Sequence, residues 1–287
     1  MMFLKRSKTR IAQPSTPLSV TGTMLTDVGC VRDVNEDVVA YSLPGRTGLT
    51  EQDMLALVAD GMGGHAAGEV ASGIAGDTVL RLYHESKGTP AERLAICLSA
   101  ANRAIYEQSQ SDPACSGMGT TCTVLAVRDN AVFLGHIGDS RAYLMREGRI
   151  QQISEDHSLV AQLVRDGALT EEEAMHSPDR NVVLRALGID ARANPTVWRE
   201  GLPLLADDVL LLCSDGLSDV VEDKRIEEVL GALPPFEACQ SLIDAALAAG
   251  GPDNVSVGVF ALATNPAQAE RARATRPLPA LVDGGSR

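Results

Sequence analysis

The sequence predicts an α+β fold in which antiparallel β-sheets are covered by helices. Two observations carry this. Strand-like segments arrive as hairpin neighbours between residues 119 and 153, and helix-like segments arrive in adjacent pairs, at 68–105 and 222–250. A parallel sheet would instead require strands and helices in regular alternation.

Each element follows in chain order. "SVTGTMLTDVGCVRDVNEDVVAYSL" (19–43) holds two short strand-like pieces around a polar loop, and "DMLALVAD" (53–60) is a strand. A helix is expected from about Gly68 to Tyr83, with Val70, Ile74, Thr78 and Leu82 on one stripe. Thr89, Pro90 and Glu92 give the next helix an N-cap, a first-turn proline and a capping box, and Leu94, Leu98, Ala101 and Ile105 follow at helical spacing. "TTCTVLAV", "AVFLGHIG" and "RAYLMR" are strands joined by turns at Asp129-Asn130 and Glu147-Gly148. A short helix at 157–166 ends at Gly167, and the charged "TEEEAMHSPDRN" (170–181) reads as an exposed loop or a short helix started by the Thr170/Glu173 capping box. "DVLLLCS" is a strand, "EDKRIEEVLGAL" and "PFEACQSLIDAALAAG" are helices, and "VSVGVFAL" is the last strand.

The chain has 287 residues and 45% apolar content, enough for one large core or two modest ones. Its apolar runs are far too short for a membrane span, and the N-terminus lacks a secretory apolar stretch. Six cysteines at 30, 97, 115, 122, 213 and 239 show no metal-type pairing and are expected to be reduced core residues of a cytoplasmic protein. Residues 1–20 carry Lys5, Arg6, Lys8 and Arg10 without an acid, a net +4, and read as a flexible arm. Residues 264–287 carry +2 and no core pattern, and read as a disordered tail. The total is −13, so the body, 21–263, carries −19. Such an acidic body repels phosphate backbones, which argues against nucleic acid, and suits cations.

The acids fall at strand ends. Asp60 follows "LALVA" and precedes Gly61; Asp215 follows "VLLLCS" and precedes Gly216; Asp139 follows "VFLGHIG". Asp253 stands just before "VSVGVF", and Glu36 and Asp37 just before "VVAYS". One Asp-Gly alone is a turn signal. Five such places in one acidic domain point to something more, because converging carboxylates repel one another and resist burial. Hard divalent cations such as Mg2+ and Mn2+, which prefer oxygen ligands, resolve the conflict. A glycine after the ligand leaves room beside it.

Eight segments in order carry a resemblance: "TDVGCVRDVNED", "VADGMGGHAAGEVAS", "GMGTTCTVLAV", "GHIGDSRAYL", "EDHSLV", "RNVVLRALG", "LLLCSDGLSD" and "GGPDNVSV". Together they resemble the metal-dependent type 2C Ser/Thr protein phosphatases (the PPM family) in their compact bacterial form. The resemblance implies a four-layer α/β/β/α sandwich, two central antiparallel sheets flanked by helix pairs, spanning 21–263, with a flap at about 165–188 where part of the substrate selectivity would reside. It implies two Mn2+ or Mg2+ ions: Asp60 bridging them, Asp215 and Asp253 completing one shell, the Gly61 carbonyl on the other ion, and Asp37, alone or with Glu36, holding that ion directly or through water. Asp139 with Asp215 matches a weaker third site. Arg32 matches the arginine that grips the substrate phosphate. Asp60 and Arg32 would be the catalytic residues, and water activated by two metals roughly 3.5–4 Å apart would attack phosphorus without a phospho-enzyme. The expected substrates are proteins phosphorylated on Ser or Thr, a Ser/Thr kinase among them, met by a monomer.

One position departs from the pattern. Some relatives have a histidine as proposed general acid where this chain has Met62, which transfers no proton. His65 and His157 read as structural and His136 as a core residue. Two other function classes are alternatives, a binding or sensing module of the same fold and a different two-metal phosphohydrolase.

Overall fold

The computed structural model describes residues 18–44, 53–63 and 67–264. The basic arm up to residue 17, most of the tail, and His65 lie outside the described residues. In chain order the elements are β1 (Ser19–Asp27), β2 (Asp37–Ser42), β3 (Met54–Met62), α1 (Ala67–Glu85), α2 (Pro90–Ser111), β4 (Gly119–Thr120), β5 (Cys122–Arg128), β6 (Ala131–Ile137), β7 (Arg141–Arg146) and β8 (Arg149–Gln152). Then come α3 (Leu159–Arg165), α4 (Glu171–Met175), β9 (Thr196–Val197), β10 (Leu202–Pro203), β11 (Val209–Cys213), α5 (Asp215–Ser218), α6 (Asp223–Ala232), α7 (Pro235–Ala248) and β12 (Val255–Ala263).

Two antiparallel sheets form the centre. One runs β1-β12-β11-β7-β8; the other runs β10-β6-β5-β3-β2, with β4 on β3 and β9 on β6. Strand β3 shows why they stack. Its Leu55, Leu57 and Ala59 pack under α1 and α2 with Val124, Leu94 and Leu98. Its Met54, Ala56 and Val58 face the other sheet, against Leu210, Leu212 and Phe260. Both faces are dry, so the strand reads as a continuous apolar run rather than an alternating one. On the far side of the second sheet, Leu211, Val257 and Val259 receive α6 and α7 through Ile226, Leu230 and Leu242. The four layers expected from the sequence are therefore present.

Local chemistry sets the connections. Asp129 and Asn130 (φ 50° and 57°) and Glu147 and Gly148 (φ 51° and 73°) adopt the left-handed geometry of two-residue hairpin turns. The capping box at Thr89/Glu92 starts α2, and a second, at Thr170/Glu173, starts α4. His136 is fully buried, its Nδ1 on the Thr123 hydroxyl and its Nε2 on the Glu155 carbonyl.

Two expectations fail. The buried stripe of α1 is Ala71, Ala75, Val79 and Tyr83, one position on from the expected one, while Val70 is exposed. The helix turns its small residues inward because it lies close to the sheet: a Cβ on Gly76 would come within 2.8 Å of Val38. Hydrophobicity alone selected the wrong stripe. Cys30 is exposed, since it sits on the loop between β1 and β2, whereas the other five cysteines are buried thiols.

The α1 packing makes a testable prediction. Ala75→Leu, which overfills this close face, is expected to cost about 1–3 kcal/mol in urea unfolding. Val70→Ala is expected to stay within about 0.5 kcal/mol of wild type. The reverse order would contradict the packing.

Candidate metal and phosphate site

Antiparallel pairing brings strand beginnings beside strand ends, and that gathers the acids. β2 begins at Asp37, directly opposite Asp60 near the end of β3. β11 ends at Cys213, paired with Val257 on β12 and Arg141 on β7. Asp215 therefore lies just past one strand, with Asp253 just before its neighbour on one side and Asp139 just before its neighbour on the other. All five aspartates meet at one end of the sandwich.

Hydrogen bonds lock the backbones there. The Asp60 N–H donates to the Thr121 hydroxyl (2.9 Å), the Asp60 carbonyl accepts from Thr121 N–H and Thr120 Oγ1, and Thr121 Oγ1 lies 2.7 Å from Ser140 Oγ. Ser214 spans the two sheets: its hydroxyl donates to Asp37 Oδ2 (2.7 Å) and accepts from Ser256 N–H. Gly61 is a glycine because α1 lies on it. A Cβ there would be 2.2 Å from the Gly68 carbonyl oxygen and 2.7 Å from that of Glu36. The Glu36 side chain reaches the same spot, its carboxyl carbon 2.8 Å from where a Gly68 Cβ would be.

The electrostatics are unfavourable as they stand. Burial, followed by the charges of Asp215, Asp37 and Asp139, holds Asp60 well above the usual carboxylate range. Burial, then Asp139, Asp219 and Asp253, does the same to Asp215. Burial pushes Asp37 up to about 6 against two serine hydrogen bonds, and burial with the Asp156 charge pushes Asp139 to about 6. Glu36 is raised mainly by burial, with Arg32 opposing. Two buried oxygens, Asp37 Oδ1 and Asp215 Oδ1, have no hydrogen-bond partner. Orphaned anionic oxygens in a crowd of carboxylates are the donor set a hard dication takes. Among the described residues no group of three or more His, Cys, Asp or Glu side chains is placed as it stands to hold a metal ion. The fit therefore rests on donor chemistry, with coordination distances left to the ions.

Arg32 stands at the rim, half-exposed, with Nη2 2.7 Å from Asp253 Oδ2. That pairing is more than the sequence suggested, since few cations flank the acids along the chain. Three further groups escaped the sequence reading. Asp219 caps α5 one turn beyond Asp215, its N–H on the Asp215 carbonyl, and pairs with Arg180 at 3.7 Å. Its four-residue spacing from Asp215 was the available signal. Asp156 grips Arg141 through Nε and Nη2. Asn254 ties the Arg32 loop to β12, as its amide donates to the Val28 and Val34 carbonyls and accepts from Glu36 N–H. No sequence signal marks that role.

Met62 ends β3 opposite Gly119 and offers no titratable group. His157 is structural: its N–H donates to the Gly138 carbonyl and its Nδ1 accepts from Gly138 N–H. Burial, then the neighbouring His136, pushes it down to about 3, so it stays a neutral acceptor. The segment after α3 docks beside it, with Leu184 N–H on the His157 carbonyl and Leu187 paired with Thr120.

Comparison with known proteins identifies the chain's relatives. The family model described as "Protein phosphatase 2C" matches residues 34–247. The chain is 43% identical over 238 residues to the serine/threonine protein phosphatase PstP of Mycobacterium tuberculosis, covering 81% of this chain and 43% of that protein, so it spans less than half of that relative's length. It is 35% identical to the serine/threonine phosphatase stp of Listeria monocytogenes, over 81% of this chain and 92% of that one. A solved structure of the PstP catalytic domain in complex with two manganese ions superimposes with a TM-score of 0.76 at 39% identity, covering 86% of this chain and all of that one. The chain belongs to the protein phosphatase 2C family.

Proposed function

We propose that this chain is a metal-dependent protein-serine/threonine phosphatase, a hydrolase of phosphoric monoesters on serine and threonine. The observation that carries the reading is the pair of orphaned buried oxygens, Asp37 Oδ1 and Asp215 Oδ1, inside a cluster of mutually repelling aspartates. Asp60, Asp215 and Asp253 are the proposed ligands of one ion. Asp60, the Gly61 carbonyl and Asp37 with Glu36 are those of the other, and Asp139 with Asp215 would hold a weaker third. Two divalent cations held there, Mn2+ or Mg2+, would supply the Lewis acidity that lowers the pKa of a nucleophilic water and offsets charge on the phosphoryl oxygens.

The chain's own residues do the rest. Asp60, its backbone fixed by Thr120 and Thr121, would help hold both proposed ions. Arg32 presents a planar guanidinium to the phosphate, oriented by its bond to Asp253. Met62 offers no proton to the departing serine or threonine oxygen, so any protonation there has to come from metal-bound water or another group. The proposed catalytic domain is 21–263, with 165–188 as its flap and the ends, 1–20 and 264–287, as accessory arms. The substrates are phosphorylated proteins, including a Ser/Thr kinase whose action the enzyme reverses as a monomer in a bacterial cytoplasm. No described helix is long and apolar enough to cross a membrane.

Phosphate release from a phosphothreonine peptide is expected with Mn2+, to cease with EDTA, and to be lost in Asp60→Asn. Arg32→Ala is expected to lower kcat/KM by about ten- to hundredfold, the worth of a charge-assisted phosphate contact. Activity indifferent to EDTA would contradict the metal reading, and absence of any hydrolysis by a metal-loaded protein would favour a binding module.

The raised carboxylates also fix a pH dependence. A carboxyl whose folded pKa exceeds its unfolded value of about 4 contributes stability below that value and loses it as pH rises through the folded pKa. For Asp139, pushed to about 6, the loss falls between about pH 4 and 7. In metal-free protein the Tm of wild type relative to Asp139→Asn is expected to fall across that window, and Mn2+ is expected to restore it at pH 7.5. A difference that is flat with pH would contradict the assignment.

A further inference from the structure

The loop that carries Arg32 is tied down at several points, and its Val31 and Val34 face outward. Gly29 N–H donates to Asp27 Oδ1 (2.8 Å) and Cys30 N–H to the Gly251 carbonyl (2.8 Å). The Asn254 amide then clamps the loop from within, donating to the Val28 and Val34 carbonyls at 2.9 and 3.0 Å and accepting from Glu36 N–H at 2.8 Å. Asn35 donates to Thr26 Oγ1. A loop tied at this many points has no need to leave valines in water for want of order. Yet Val31 is 68% exposed and Val34 46% exposed, one immediately before the arginine and one two residues after it.

Single exposed apolar residues carry no message, but their clustering does. Of nine exposed large apolar side chains among the described residues, five lie on segments bordering the carboxylates. Val31 and Val34 flank Arg32. Val70 sits in the first turns of α1, next to Gly68, which touches both Gly61 and Glu36. Val182 and Leu184 lie on the strand-like stretch paired with Leu159 and His157, beside Gly138 and Asp139. Exposed apolar side chains thus alternate with Arg32, Asp33 and Glu36 along the rim of the site, in a protein that as a whole carries −13.

We propose that Val31 and Val34 select substrates bearing apolar side chains next to the phosphorylated residue. This rests on the phosphatase reading and names the substrate class that it leaves open. A phosphate held on Arg32 brings the two neighbouring residues of an extended substrate chain over the same loop. Apolar neighbours bury valine methyls there, while acidic neighbours meet Asp33, Glu36 and the acidic body. The occupant is thus a phosphopeptide with apolar rather than acidic residues beside its phosphorylated side chain.

The test compares kcat/KM, with Mn2+, for three peptides that differ only beside the phosphothreonine: Leu-pThr-Val, Gly-pThr-Gly and Glu-pThr-Glu. p-Nitrophenyl phosphate, which has no neighbours, is the reference reaction. Wild type is expected to favour the apolar-flanked peptide over the glycine-flanked one by about three- to tenfold, the order expected for partial burial of small apolar groups. The glutamate-flanked peptide is expected to be the poorest. In Val31→Ser/Val34→Ser, two exposed positions, the apolar-to-glycine ratio is expected to fall close to one. Hydrolysis of the reference ester and all peptides without a flank preference overturns this inference alone, as does a preference that survives in the double variant. Failure of wild type to hydrolyse the reference ester and every peptide overturns the phosphatase reading together with it.

Discussion

The structure is governed by the cost of collecting negative charge in a dry place. Asp37, Asp60, Asp139 and Asp215 are buried or nearly so, and each is raised above the ordinary carboxylate range first by burial and then, apart from the serine bonds to Asp37, by one another or by neighbouring aspartates. A fold would ordinarily surround such groups with arginines. Here Arg32 reaches Asp253, Arg180 reaches Asp219 and Arg141 takes Asp156, while no described ion pair reaches the four inner aspartates. The centre thus keeps its negative charge free for the proposed divalent cations.

Holding the acids together takes scaffolding from both sheets. Antiparallel order brings the end of β3 to the start of β2, and the end of β11 between the starts of β7 and β12. Hydroxyls then do what arginines would do at greater electrostatic cost. Ser214 bonds Asp37 across the sheets, and Thr121 links Asp60 to Ser140 next to Asp139. These neutral partners fix geometry and leave the negative charge available. The same economy appears in α1, whose glycines and alanines let its backbone lie against Gly61 and Glu36.

Much of this was legible in the sequence, for identifiable reasons. Turn residues at Asp129-Asn130 and Glu147-Gly148 and the capping box at Thr89/Glu92 are local signals, and local signals survived folding. The strand-end aspartates stood out because a charge closing an apolar run is costly wherever it falls. The α1 stripe was misread because hydrophobicity favoured Val70 over Ala71, whereas close approach to the sheet favoured the smaller side chain. Asp219 was visible within "SDGLSD" but acquires meaning only from the one-turn helix α5. The clamp made by Asn254 joins positions some 220 residues apart in the chain, and no local pattern encodes such a partnership.

The inner aspartates are the proposed divalent-cation site. The most direct test is anomalous diffraction at the manganese edge from crystals grown with Mn2+. Two strong peaks are expected, with Asp60 carboxylate oxygens close to both and with Asp215 Oδ1 and Asp37 Oδ1 engaged by the ions directly or through ordered water. A map without such peaks, in which those oxygens instead bond protein donors, would contradict it.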